Sequence, residues 1–376
     1  MKHRILATTI AVIIISTASA GVYFSLRANP AKQKTQSPNV ATASNSDTST
    51  AKSTSTSPSS PDTPASTTQP KNPSTPNPKT PTPKKTPTPT TPSPTSPTAP
   101  TPSPSPAPTV PSGKVCGSVG YNAGATLPSF QSKYPSFWRT DYQFADLYDA
   151  PSGVFENFSL KTGAIFIKSN ATQLRNFYLR TSSDYYPIRT DSREAGTGST
   201  ISHATIAGYN ATDDSLIKGI TAWSNGLTID NVDISGTHDG VTVGADNITI
   251  SNTCIHDLAL TPNSHNDGVE IYGGSNITIR NSEIKNPHGQ TSAINITNDG
   301  GPISNVLIEN VRLSGGGYTI YVRGDGASGA AVSNIRFRNV VIDSSGYYGP
   351  VSYQGAPGAI VEWDVKYANG APVPRP

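Results

Sequence analysis

The feature that most limits what this chain can become is a set of five segments that superimpose: GLTIDNVDI (226–234), NITISNTCI (247–255), NITIRNSEI (276–284), NVLIENVRL (305–313) and NIRFRNVVI (334–342). Each alternates apolar and polar residues, reaches an asparagine, and places an apolar residue three positions beyond it. The asparagines are Asn231, Asn252, Asn281, Asn310 and Asn339, so subtraction gives steps of 21, 29, 29 and 29 residues. A repeat of that length denotes stacked units, each too small to bury its apolar face except against its neighbours.

Each repeat also carries a second short strand: DGVTV (239–243), DGVEI (267–271), SAINI (292–296) and YTIYV (318–322). Period-2 strands with no 3.6-residue periodicity exclude crossover helices and an α/β sheet. The expected fold is all-β: a right-handed parallel β-helix, a single-stranded solenoid whose Val, Ile and Leu stack inward at about 4.8 Å per coil. The asparagines then sit at coil corners, where an amide can bond its own turn and the asparagine of the next coil. Gly273-Gly274 is a corner that permits positive φ. Six N-x-S/T triplets, at Asn157, Asn170, Asn210, Asn247, Asn276 and Asn295, arise partly from this repeat and are not read as glycosylation sites. Residues 163–192 and 199–220 read as less regular coils, residues 113–162 with Tyr134, Phe137 and Trp138 as an N-terminal cap, and 347–367 with Trp363 as the closing end.

The segment before the repeat cannot share that core. Residues 1–4 are basic and Ile5 to Leu26 form an uncharged, mainly apolar run, which makes 1–28 a signal peptide or N-terminal membrane anchor and the chain an exported one. Residues 29–112 are a Ser/Thr/Pro-rich linker with no aromatic residue, expected to be a disordered stalk. The solenoid domain is 113–376. Of 28 basic and 25 acidic residues, ten and two lie in 1–112, leaving 18 against 23, so the domain is net negative and nucleic acid is excluded as a partner. Cys116 and Cys254 both fall in the exported domain, either as a disulfide or as two buried thiols.

The runs HNDGVEIYGGSNITIRNSEI, TSAINITNDGGPISNVLIENVRLSGGGYTIYVRG and YYPIRTDSR resemble the pectin-lyase-like superfamily of right-handed parallel β-helices, and more narrowly a group of bacterial secreted β-helix proteins. The resemblance implies extracellular polysaccharide lyases, hydrolases and epimerases, or tailspikes and adhesins. Against polygalacturonases, Thr237-His238-Asp239-Gly240 is similar to their Asn-Thr-Asp-Gly, Asn266-Asp267 falls where they have paired aspartates, and Pro287-His288-Gly289 lies near their Gly-His-Gly. Asn266 replaces one of the aspartates, and their Arg-Ile-Lys clamp has no clear match, which leaves hydrolysis unassigned.

Asp239 and Asp267 are expected to stack one coil apart, the separation at which one carboxyl keeps its proton and glycosidases pair an acid with a nucleophile or base. An Asp-Gly turn that caps its own corner is the competing reading. Arg189, Thr242, Glu270, Asn295 and Tyr321 form an outward ladder suited to sugar hydroxyls and uronates. The insertion LALTPNSHND places His256, Asp257, His265 and Asp267 around one bulge, with His238 and His288 on neighbouring coils. His265, Asp267, Glu270, Asp239 and His238 are the candidate acid/base residues, and Arg189, Tyr321, His288, Arg323 and Asn295 the candidate substrate contacts. For lyase chemistry His265, Lys285 or Arg323 could supply the base or the cation. No ligand spacing marks a metal site, although calcium or zinc could bind between coils. The expected protein is a monomer that binds a polysaccharide or cell-envelope glycan, meets the membrane only through its N-terminal segment, and acts on that glycan as lyase, hydrolase or epimerase. The alternative is a non-catalytic adhesin or spacer.

Overall fold

The computed structural model describes residues 115–376, apart from 125, 142–143, 148–152, 182–185, 191, 210–217 and 263. The N-terminal unit Met1–Ser96 lies outside the described residues, and so do the expected signal or anchor and the expected linker. Among the described residues no helix is long and apolar enough to cross a membrane.

The chain winds into a parallel β-helix. A front sheet of ten strands runs in the order Trp138–Arg139, Phe144–Leu147, Ala164–Ile167, Ile188–Thr190, Lys218–Ala222, Asp239–Val243, Asp267–Ile271, Ser292–Thr297, Tyr318–Arg323 and Gly349–Gln354. Its first pairing is antiparallel and the rest are parallel, each strand joining the next one coil up. A back sheet runs from Val154–Leu160 through Thr228–Ser235 and Gly274–Arg280 to Val332–Ser344, with Ile360–Tyr367 at the far end. Between the sheets the apolar side of each strand is fully buried, as in Ile229, Ile250, Ile279, Ile308 and Phe337 on successive rungs. Truncating one such isoleucine to alanine removes about 2–5 kcal/mol.

The asparagines make the corner. Asn231, Asn252, Asn281, Asn310 and Asn339 all have φ between 49° and 56°, and the row continues down through His203, Asn176 and Asn157. Asparagine tolerates this left-handed conformation because its amide bonds locally. Asn339 Nδ2 donates to Asn310 Oδ1 at 2.8 Å and Asn310 Nδ2 to Asn281 Oδ1 at 3.3 Å. A second ladder, absent from the sequence reading, runs Asn334, Asn305, Asn276, Asn247 at 2.6, 3.0 and 3.0 Å. Three of the N-x-S/T asparagines, Asn157, Asn247 and Asn276, therefore serve backbone geometry.

Both ends of the core are covered. The helix Phe130–Lys133, capped by Ser129 Oγ, sets Phe130 against Phe158, with Tyr134 and Phe137 around Phe155. Trp363 packs edge-on to Phe337 and donates from Nε1 to Val373 O at 2.9 Å. Cys116 and Cys254 form a disulfide, which settles the choice left open by the sequence. From Cys116 the chain crosses the back sheet: Gly120 N–H bonds Asn231 Oδ1, and Asn122 N–H bonds Asn176 Oδ1, each at 2.9 Å.

Candidate functional site

Four front strands share one local pattern: Lys218-Gly219-Ile220-Thr221, Asp239-Gly240-Val241-Thr242, Asp267-Gly268-Val269-Glu270 and Ser292-Ala293-Ile294-Asn295. Strict alternation would put the first and fourth residues on opposite faces. The small residue decides otherwise. A Cβ on Gly240 would lie 2.6 Å from the core atom Ile255 Cγ2, and one on Gly268 would lie 2.3 Å from Ile284 Cγ2, so both glycines point inward. Val241 and Val269 point inward too. Two consecutive inward residues bring the first and fourth side chains together on the outer face. Two parallel ladders result: Lys218, Asp239, Asp267, Ser292, and beside it Thr221, Thr242, Glu270, Asn295, Tyr321.

At the centre, Lys218 Nζ lies 2.7 Å from Asp239 Oδ2 and 3.1 Å from Glu270 Oε2, and donates to Thr242 Oγ1 at 3.2 Å. Asp239 Oδ1 accepts the Asp267 backbone N–H at 2.9 Å. Asp267 Oδ1 accepts from Ser292 N at 3.0 Å and Ser292 Oγ at 2.7 Å, and its Oδ2 accepts from Asn295 Nδ2 at 3.1 Å. Asp267 is 3% exposed. Burial, then the charges of Asp239 and Glu270, hold its carboxyl well above the usual carboxylate range. Burial also raises Glu270; the Lys218 charge opposes this and Asp239 reinforces it. For Lys218 burial works downward, but the two carboxylates outweigh it and keep the ammonium above its usual range. The physical content is one cation facing three carboxyl groups, a charge deficit that favours a retained proton.

The other sequence candidates take different places in the fold. His238 is buried, 2% exposed, and its carbonyl accepts from Asn266 Nδ2 at 2.8 Å. His265 is exposed on the insertion, with no hydrogen bond or ion pair to the cluster among the described residues. His288 donates from Nε2 to Leu258 O at 2.6 Å and so clamps the insertion. Arg189 lies over Phe166, three rungs from Glu270, and Arg323 pairs with Asp325 at the rim. Lys285 pairs with Glu283 at 2.6 Å on the back sheet. Asn266, which replaced an aspartate of the polygalacturonase pattern, is fully buried and donates to both His238 O and Ala259 O. A carboxylate there could donate to neither.

The bulge expected to unite His256 and Asp257 with Asp267 does not do so. His256 belongs to the back sheet, where Nε2 lies 3.1 Å from Asp233 and Nδ1 2.7 Å from Asp257. Hydrogen bonding to Asp233 is the largest influence and pushes its pKa up to about 9. Asp233, Cys254 and His256 approach one another closely, yet the Cys254 sulfur is bonded to Cys116 and cannot ligate a metal. An open depression lined by Leu260, Thr261, Pro262 and Gln290 lies on the insertion; none of the carboxylates lines it.

Lys218 is the residue that the sequence reading missed. The signal was available: stepping back 21 residues from Asp239, the same step as Asn231 to Asn252, lands on Lys218 in a matching K-G-I-T.

A family model for the right handed beta helix region matches residues 155–304. No curated protein matches the chain in sequence. Among solved structures, the enzymatically active domain of tailspike protein 2 from bacteriophage CBA120 is 13% identical, over 60% of this chain and 43% of that one, with a TM-score of 0.33. Tailspike protein gp49 from Acinetobacter baumannii bacteriophage Fri1, a capsular polysaccharide depolymerase, is 11% identical over 66% and 47%, with a TM-score of 0.32. The A-module of Azotobacter vinelandii mannuronan C-5 epimerase AlgE6 is 12% identical over 60% and 81%, at 0.30. The chain spans less than half the length of the two tailspikes. Overlaps this partial say nothing about chemistry.

Proposed function

We propose that this β-helix binds a polysaccharide along its front sheet and cleaves a glycosidic bond by acid/base chemistry. The observation that carries the reading is the cluster of Asp239, Asp267 and Glu270 around the single cation Lys218. Glycoside cleavage needs one carboxyl that holds a proton at neutral pH and a second that is ionised. Glu270 fits the proton donor: its carboxyl is raised, and its side chain is the more open of the pair at 15% exposed. Burial and then the charge of Asp239 raise Glu270 against the opposing charge of Lys218, while Asp267 beside it is deeper, anchored by Ser292 and Asn295, and is itself raised by burial. Asp239, whose Oδ2 lies 2.7 Å from Lys218 Nζ, is the candidate second carboxyl.

Lyase or epimerase chemistry fits less well. Either needs a base for the proton beside a uronate carboxylate. Lys218 holds its proton too tightly, His265 is exposed on the insertion, and His288 is engaged with Leu258 O. The Cys116–Cys254 disulfide supports an exported location, since such bonds persist in oxidising compartments. We propose a location outside the cytoplasm, a reading that the apolar N-terminal run also supports.

One observation favours the non-catalytic alternative: every oxygen of Asp267 is already satisfied within the protein, as in a structural carboxyl. A reducing-sugar and unsaturated-uronate assay of the full chain on a glycan panel separates the two. Hydrolysis that Glu270→Gln abolishes while binding persists supports the enzyme. Binding without turnover, the same in wild type and Glu270→Gln, removes it.

A further inference from the structure

Two rungs beyond Glu270, both outward ladders change from polar residues to phenols. Tyr321 follows Asn295 in register, and Tyr318 occupies the position that Ser292 and Asp267 hold below it. The next turn adds Tyr347 and Tyr348. The rings form a continuous group: Tyr321 to Tyr318 at 5.2 Å, Tyr318 to Tyr348 at 5.7 Å and Tyr348 to Tyr347 at 4.8 Å, the first and last edge-on. Tyr347 is 79% and Tyr348 65% exposed, so these two rings contribute little to the core. Exposed aromatic area of this kind marks a binding surface more often than a folding need.

The backbone beneath them is nonetheless fixed. Tyr347 N–H bonds Gly316 O at 2.8 Å, Tyr348 N–H bonds Gly317 O at 2.7 Å, and Gly346 N–H bonds Thr319 Oγ1 at 2.8 Å. Gly346 is required there, because a Cβ would meet Gly317 O at 2.6 Å. Rings presented on a pinned turn lose little freedom when a ligand arrives. Between them and the carboxyl cluster stands Asn295, whose Nδ2 donates to Asp267 Oδ2 at 3.1 Å.

We propose that Tyr318, Tyr321, Tyr347 and Tyr348 form a stacking subsite for one pyranose ring of the same glycan, with the chain lying across the rungs from Glu270 toward the C-terminal end. The inference rests on the glycan reading above and extends it. Its chemistry is that of a ring with an apolar C–H face and a rim of hydroxyls: the exposed phenol rings cover the face and their hydroxyls meet the rim. Two rungs span about 10 Å, so the subsite serves a sugar beyond the one at Glu270 rather than that one.

The test uses the full chain and oligomers of galacturonate, mannuronate and glucose, from dimers to hexamers, with affinity measured by calorimetry. Replacing both exposed rings (Tyr347→Ala with Tyr348→Ala) is expected to weaken the bound oligomer about tenfold, increasingly with oligomer length. The paired change to Phe retains most of the affinity, and Val361→Ala, at an exposed apolar residue on the last back-sheet strand, retains all of it. If wild type binds and Glu270→Gln loses turnover, but the alanine pair binds every length normally, the subsite is wrong and the glycan reading stands. A change confined to the sedimentation state would make the patch a contact between copies and overturn the subsite. Absence of binding by wild type overturns both.

Discussion

The front-sheet cluster and the back-sheet group around His256 draw on the same middle coils and on similar residue types, yet they reach opposite electrostatic states. At the front, Lys218 alone faces Asp239, Asp267 and Glu270, and two carboxyls are pushed above their usual range. At the back, His256 sits between Asp233 and Asp257. Close by, burial of Glu283 is outweighed by Lys285 and the Cys116 N–H, which leave its carboxyl below the usual range. The lesson is that density of titratable groups alone does not set the direction in which their protons are held. The ratio of cations to buried carboxyls does.

The strongest way to break this contrast is to remove one carboxyl from each side. Glu270→Gln is expected to lower turnover by about 10²–10⁴-fold, the usual worth of a proton donor, whereas Glu283→Gln leaves kcat within about twofold. Equal effects on a glycan-cleavage assay would dissolve the distinction. Next in size, Lys218→Met leaves three carboxyls without their cation and should cost about 3–5 kcal/mol in urea denaturation at neutral pH. The deficit shrinks on acidification, because carboxyls that gain protons no longer repel. At the back, Glu283→Gln replaces charge-assisted bonds from Lys285 and Cys116 by neutral ones and should cost about 1–2 kcal/mol.

The smallest effect is a slope. His256 has its pKa raised from 6.5 to about 9, so the proton is held more tightly in the folded state. The resulting stability is complete below about pH 6.5 and fades as pH rises toward 9. In His256→Gln, Tm should lose that decline over this window; an unchanged slope would mean that the imidazolium pairing contributes nothing.

The rung stacking was legible because Asn281, Asn310 and Asn339 repeat at a fixed step and only a left-handed corner explains an asparagine there. The ladder Thr242, Glu270, Asn295, Tyr321 was legible for the same reason, since parallel register turns a sequence step into vertical contact. Three things were hidden. That Asp267 and Glu270 share a face depends on Gly268 pointing inward, which alternation alone denies. His256 and Asp267 are near in sequence, but the corner at Asp257, with φ 45°, sends them to different sheets. Lys218 escaped because the chain before it is irregular, and its strand belongs to the array only once the shorter first step is applied.

The disulfide has a consequence for how the molecule would carry load. Tension reaching residue 115 from the N-terminal side meets Cys116 first and passes through sulfur to Cys254, bypassing a stretch with a sequence separation of 138. The early coils lie inside that closed loop and are shielded while the bond holds. Force enters the stack midway, on the coil that carries Asp239, rather than at the N-terminal end of the coils.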